Sequence, residues 1–90
     1  FCSASLFNQP LDFNTENVES MSGMFYHADS FNQPLNFNTE KVTNMSSMFE
    51  DANSFNQHLE FNTNNVTNMI DMFYDCPISE ENKPVFKIES

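Results

Sequence analysis

The strongest constraint on this chain is a period of 24 residues. The stretch Phe31-Asn32-Gln33-Pro34-Leu35-Asn36-Phe37-Asn38-Thr39 has a copy at Phe7–Thr15 and another at Phe55–Thr63, with no insertion or deletion between them. A period of that length is the mark of a repeat architecture, in which each copy buries its apolar side chains against the next. Laid in register, eight apolar columns recur. They are Phe7/Phe31/Phe55, Leu11/Leu35/Leu59, Phe13/Phe37/Phe61, Val18/Val42/Val66, Met21/Met45/Met69, Met24/Met48/Met72, Phe25/Phe49/Phe73 and Ala28/Ala52/Cys76. Most other columns vary among polar residues.

Within one copy the pattern changes period. Leu35-Asn36-Phe37 alternates, which predicts a short strand with Asn36 outward. Met45, Met48, Phe49 and Ala52 then fall on one side of a helical spacing, and Ser20, Asn44 and Asn68 occupy the matching N-cap column. These readings predict an α/β solenoid, a stack of 24-residue coils. Short parallel strands would form one face and short helices the other. The coils run 5–28, 29–52 and 53–76, with 1–4 ending a preceding coil, because Phe1-Cys2-Ser3-Ala4 is in phase with Phe25-Tyr26-His27-Ala28. We therefore read the chain as part of a longer array.

After Cys76 the signature stops. Residues 77–90 are charged and polar and read as a capping segment of the kind a stacked array needs. Ile70 replaces the serines of its column, Ser22 and Ser46, so Ile78, Phe86 or Ile88 is expected to cover it. Cys2 and Cys76 sit three coils apart, about 14 Å of stack at ~4.8 Å per coil. A disulfide tolerates Cα atoms no more than ~7 Å apart, so an intrachain bond between them is not expected. Cys76 instead occupies a small inward column and is expected to be a buried, slowly reacting thiol.

The Asn8/Asn32/Asn56, Gln9/Gln33/Gln57, Asn14/Asn38/Asn62 and Thr15/Thr39/Thr63 columns are expected to satisfy backbone groups at the turns. Side chains that only bind a ligand have no need to be identical in every copy. The sequons Asn44-Met45-Ser46 and Asn65-Val66-Thr67 are read as chance matches in an Asn-rich chain.

Charge narrows the function classes. Three Lys and no Arg stand against 13 Asp and Glu, a net charge of −10. Nucleic acid and anionic membrane surfaces both call for a basic patch and are disfavoured. The apolar runs are far short of the ~20 residues that span a bilayer, so no membrane insertion by this segment is expected. His27 and His58 are expected on different faces, neither with a Cys or repeated carboxylate to complete a metal or catalytic set. Asp12 and Glu60 share a column two coils apart, about 10 Å, beyond the range of paired glycosidase acids. Gly23 is the only glycine, so no phosphate loop exists. The Met columns are read as core rather than as metal ligands. No enzyme, no metal and no cofactor are expected.

The motif Met-Phe-x-x-Ala-x-Ser-Phe-Asn-Gln-Pro-Leu-x-Phe-Asn-Thr-x-x-Val-Thr-Asn-Met-Ser resembles the BspA-like leucine-rich-repeat surface proteins, closest to their mycoplasma-type lipoprotein branch, over residues 1–76. Phe13, Phe37 and Phe61 stand where many relatives carry Trp. The resemblance implies a leucine-rich-repeat solenoid, a secreted or cell-surface location and adhesion or protein binding, and it carries over no catalytic residue. The expected function is a non-enzymatic module that binds a protein or glycan partner through its sheet face. The candidate residues are Pro10, Asp12, Asn14, Pro34, Asn36, Asn38, His58, Glu60 and Asn62. The alternative is a structural spacer or filament-forming unit with end-to-end self-association.

Overall fold

Backbone hydrogen bonds in the computed structural model, which describes residues 6–11 and 14–86, follow the 24-residue register. The N–H groups of Met21, Gly23, Phe25 and His27 donate to the carbonyls of Asn44, Ser46, Met48 and Glu50 at 2.8–3.0 Å. One copy on, Met45, Ser47, Phe49 and Asp51 donate to Asn68, Ile70, Met72 and Tyr74 at 2.8–2.9 Å. The intervening N–H groups fold back instead, as in Met48 to Met45, Glu50 to Ser47 and Ala52 to Phe49. The first two copies therefore divide the donors of these turns between themselves and the next copy.

That division excludes a helix. An α-helix commits every interior N–H to the carbonyl four residues earlier. Here Ser47 and Asp51 also lie at φ of +55° and +59°, which no right-handed helix contains. The same two columns repeat the conformation at Gly23 and His27 in the first copy and at Asp71 and Asp75 in the third. Positive φ at the third position of a four-residue turn is the type II geometry. Met45, Met48, Phe49 and Ala52 are all fully buried, so the apolar face read from the sequence exists, built on successive turns.

Among the described residues the expected strands are absent too. Residues 34–39 and 58–63 alternate outward and inward, with Leu35, Phe37, Leu59 and Phe61 buried. No backbone bond links the two segments. Among the described residues, parallel pairing is limited to isolated bridges, Ser20 to Asn44 and Asn44 to Asn68. Among the described residues the regular structure is one 3-10 helix, Glu80–Asn82. The expectation of an α/β leucine-rich-repeat solenoid is thus overturned. The molecule is a small body of 31 × 27 × 20 Å, and its described residues form no sheet. Its radius of gyration, 11.9 Å, is that of an ordinary globule of this length, about 12 Å.

Side chains make the links that a sheet would otherwise supply. The hydroxyls of Thr15 and Thr39 donate to the carbonyls of Asn38 and Asn62 at 3.0 and 2.9 Å, and Thr63 donates to Val85. Asn8 Oδ1 accepts from the Asn32 N–H and from Gln33 Nε2; Asn32 does the same for Asn56 and Gln57. The identical columns serve the backbone, as their repetition implied. Asn44, expected as a helix cap, accepts from the Ser46 N–H at 2.9 Å and closes a local turn.

Phe rings form the centre. Phe49 stacks on Phe25 at 5.3 Å, Phe73 at 5.6 Å and Phe55 at 4.3 Å, and Phe31 stacks on Phe7 and Phe55 at 5.8 and 5.9 Å. The segment after Cys76 joins this core through buried Ile78 and partly buried Phe86, while Ile88 lies outside the described residues. Ile70 is 69% exposed, so the expectation that the segment covers it is wrong. The segment covers the other half of the copy. Asn56 Oδ1 accepts from the Ser79 N–H and Asn82 Nδ2, and the Leu59 N–H donates to Asn82. Ser79, Asn82 and Val85 thereby take the hydrogen-bonding places of the next Asn, Gln and Asn.

One substitution separates this conformation from a helix by the sign of its effect. Replacing Ser47 with Gly removes the left-handed penalty of an L-residue, and the expected gain is roughly 0.5 kcal/mol after the extra chain entropy of Gly is subtracted. In a helix interior the same change costs about 0.5–1 kcal/mol. Urea denaturation of S47G reads the sign.

Candidate functional site

Eight of the nine candidate residues are described, and all eight are exposed: Pro10, Asn14, Pro34, Asn36, Asn38, His58, Glu60 and Asn62. Asp12 lies outside the described residues. They do not share a sheet. They alternate with the buried Leu, Phe and Thr of the extended segments, so burial of every second side chain turns the others outward. Three members of the row are also held in place. Oδ1 of Asn14, Asn38 and Asn62 accepts the N–H two residues on, at 2.9–3.0 Å. Each carboxamide is fixed by its own turn, with its amino group left to donate outward. His58 Nε2 lies 3.5 Å from Glu60 Oε1, both side chains in water. The row thus presents fixed amide donors, one carboxylate, one imidazole and two proline rings. That set can hydrogen-bond sugar hydroxyls or peptide groups.

A second cluster was missed in the sequence. His27 Nε2 is 3.3 Å from Asp51 and Nδ1 is 3.7 Å from Asp29, which also accepts from Asn53 Nδ2 at 2.8 Å. Two carboxylates thus neighbour His27, a pairing that the sequence reading did not draw. The register carried the signal, since position 51 lies one period beyond position 27. Among the described residues no three His, Cys, Asp or Glu side chains are grouped to hold a metal ion.

Cys76 is partly buried and free, and its Sγ donates to the Phe55 carbonyl at 3.6 Å. Cys2 lies outside the described residues. Burial pushes the Cys76 thiol above its ordinary value of 9.0, against a smaller lowering by the Ile78 backbone and the Lys83 charge. The folded state keeps its proton where the unfolded chain loses it. Stability is therefore intact below about pH 9 and falls as pH rises through the folded value. Alkylation of Cys76 at neutral pH should be slower in the folded protein than in urea, and equal rates would contradict its placement.

The last copy and the following segment enclose a cleft of about 590 Å³, lined by Met69, Phe73, Tyr74, Lys83, Val85 and Phe86 among others. Lys83 Nζ lies 5.5 Å from the Phe73 ring centre and 2.8 Å from Glu80.

Copies locked in one register, with a fixed polar row outside, define a repeat domain. Residues 1–86 match the family described as "Mycoplasma protein of unknown function, DUF285", and the chain belongs to that family. No curated protein and no solved structure matches it.

Proposed function

We propose that the chain is a non-enzymatic surface module that binds a protein or glycan partner through the exposed row of its extended segments. The observation that carries this reading is the pairing of a buried, hydrogen-bonded side with an outward side whose residues differ from copy to copy. Pro34 and Asn36 in one copy correspond to His58 and Glu60 in the next, beside the constant Asn38 and Asn62. The carboxamides of Asn14, Asn38 and Asn62, fixed by their own turns, lose little side-chain entropy on binding. The acidic charge of −10 favours partners that are neutral or basic. A cell-surface or secreted location, and kinship with the BspA-like surface proteins, rest on the sequence signature and on membership of a Mycoplasma repeat family.

The test is direct binding to arrayed glycans and purified extracellular proteins, comparing the parent with the triple variant N36A/H58A/E60A. All three side chains are exposed, so the melting temperature should hold while binding to any partner found is lost. Undiminished binding by the variant would place the contact elsewhere.

A further inference from the structure

The exposed row contains one column that does not vary. Asn14, Asn38 and Asn62 are identical, although Pro34 and Asn36 give way to His58 and Glu60 beside them. The two ends of each carboxamide have different surroundings. Oδ1 accepts the N–H two residues on at 2.9–3.0 Å, while Nδ2 meets no acceptor among the described residues. Closing such a turn needs only a side-chain oxygen, and Ser or Asp supplies one as well as Asn does. The chain itself shows this at another column. The same bond, to the N–H two residues on, is made by Ser20 in the first copy and by Asn44 and Asn68 in the others. The turn therefore accounts for the oxygen of Asn14, Asn38 and Asn62 and leaves their repeated, outward amide nitrogen without a use.

We propose that these three amide nitrogens bind an unbranched, uncharged polysaccharide lying along the stack, one sugar unit to each copy. The inference rests on the exposed row being the binding surface and names its ligand. A donor that is the same in every copy matches a ligand that is the same at every step. A polymer of one sugar has that property, and the surface of a folded protein does not. Phe rings of successive copies stack at 5.3–5.9 Å with their planes within 9°, so the copies advance by about that step with little tilt. The step is of the size of one pyranose unit in an extended chain. An extended polypeptide shows the same face every second residue, about 6.6–6.8 Å, and drifts out of phase along the row.

Charge and surface chemistry select in the same direction. Glu60 lies in the row, and exposed Glu16 and Glu40 stand two residues beyond the carboxamides, in a chain of net charge −10. Sulfated and uronic-acid polymers are repelled, whereas a carboxylate accepts from a neutral sugar hydroxyl. Protein partners draw most of their binding energy from buried Trp, Tyr and Arg anchors, and the row carries none of these. Each copy offers only water-exposed hydrogen bonds, so a single sugar binds weakly and affinity builds with the number of copies engaged.

Calorimetric titration of the whole chain with unbranched oligomers of glucose, mannose, galactose and N-acetylglucosamine, each graded in length, tests the proposal. For at least one series, affinity should climb with each added unit until all three carboxamides are engaged, and sulfated oligomers of equal length should not bind. The variant N62D keeps the oxygen that closes the turn and removes the outward donor. Its melting temperature should stay close to that of the parent, while affinity for the longest oligomer falls by about tenfold. Affinity independent of length, parental affinity in N62D, or no binding of any oligomer would overturn the proposal. In that last case, a purified protein that binds the parent and not N36A/H58A/E60A would still uphold the exposed row. Absence of such a protein as well would remove the row itself as a site.

Discussion

Replacing Phe49 with Ala should lower the stability of the fold by about 3–5 kcal/mol. Phe49 is fully buried and stacks against three rings, Phe25, Phe73 and Phe55, one in each adjoining copy and one in the following copy's first column. Truncation removes its transfer energy and leaves a hole whose walls are themselves held by backbone bonds to the neighbours, so little collapse can fill it. Aromatic pairing adds about 0.5–1.5 kcal/mol per pair beyond area. A domain of this size has roughly 5–13 kcal/mol in total, so the variant retains little or no folded population at physiological temperature. Tyr74→Ala, one residue beyond the Phe73 ring and 58% exposed, should stay within about 0.5 kcal/mol of the parent. Urea midpoints for the two variants that lie close together would contradict the assignment of Phe49 to the centre of the core.

Thr39→Val should cost about 1–3 kcal/mol, although it barely changes the volume packed. Thr39 is buried, and its hydroxyl donates to the Asn62 carbonyl at 2.9 Å. Val keeps the shape and removes the donor, which leaves a carbonyl between two copies without its partner. In a sheet this substitution would be benign or favourable, since Val has the higher strand preference and the backbone would bond to itself. The sign of the effect therefore reports that threonine hydroxyls, rather than a backbone ladder, join the extended segments. A variant as stable as the parent in thermal and urea melts would show that the Asn62 carbonyl has another donor.

The register was legible in the sequence and the conformation was not. Eight apolar columns spaced by one period placed Phe31 on Phe55 and Phe25 on Phe49 before any coordinate was known. The Met45, Met48, Phe49 and Ala52 spacing identified the buried face of each copy correctly. It could not say how the backbone makes that face, because successive turns and a two-turn helix bring the same positions inward. The discriminating signal lay in two polar columns, Gly23/Ser47/Asp71 and His27/Asp51/Asp75. Gly, Asp and His are residues enriched at positive φ, and two such columns four apart oppose a helix. Strand content was overestimated because inward–outward alternation requires only an extended backbone with one buried side. A ladder requires in addition that neighbouring backbones spend their N–H groups on each other, and here threonine and asparagine side chains make those links.

The exposed row was equally legible, since alternation alone assigns Asn36, Glu60 and their neighbours to the outside. The final segment was not. Ser79, Asn82 and Val85 reproduce the hydrogen bonds of a further Asn, Gln and Asn with different residues at different spacing, and no sequence column reveals that substitution. The cluster of His27 with Asp29 and Asp51 was visible only to a reading that compared charged residues across copies as well as apolar ones.

Residues 45–51 divide their donors between their own turns and the next copy. Scalar couplings across hydrogen bonds, measured by NMR on labelled protein, identify donor and acceptor residue by residue. The Phe49 amide nitrogen should couple to the carbonyl carbon of Met72, 23 residues later, and Ser47 to that of Ile70. Coupling of Phe49 to the carbonyl of Met45, four residues earlier, would restore the helix and contradict the account.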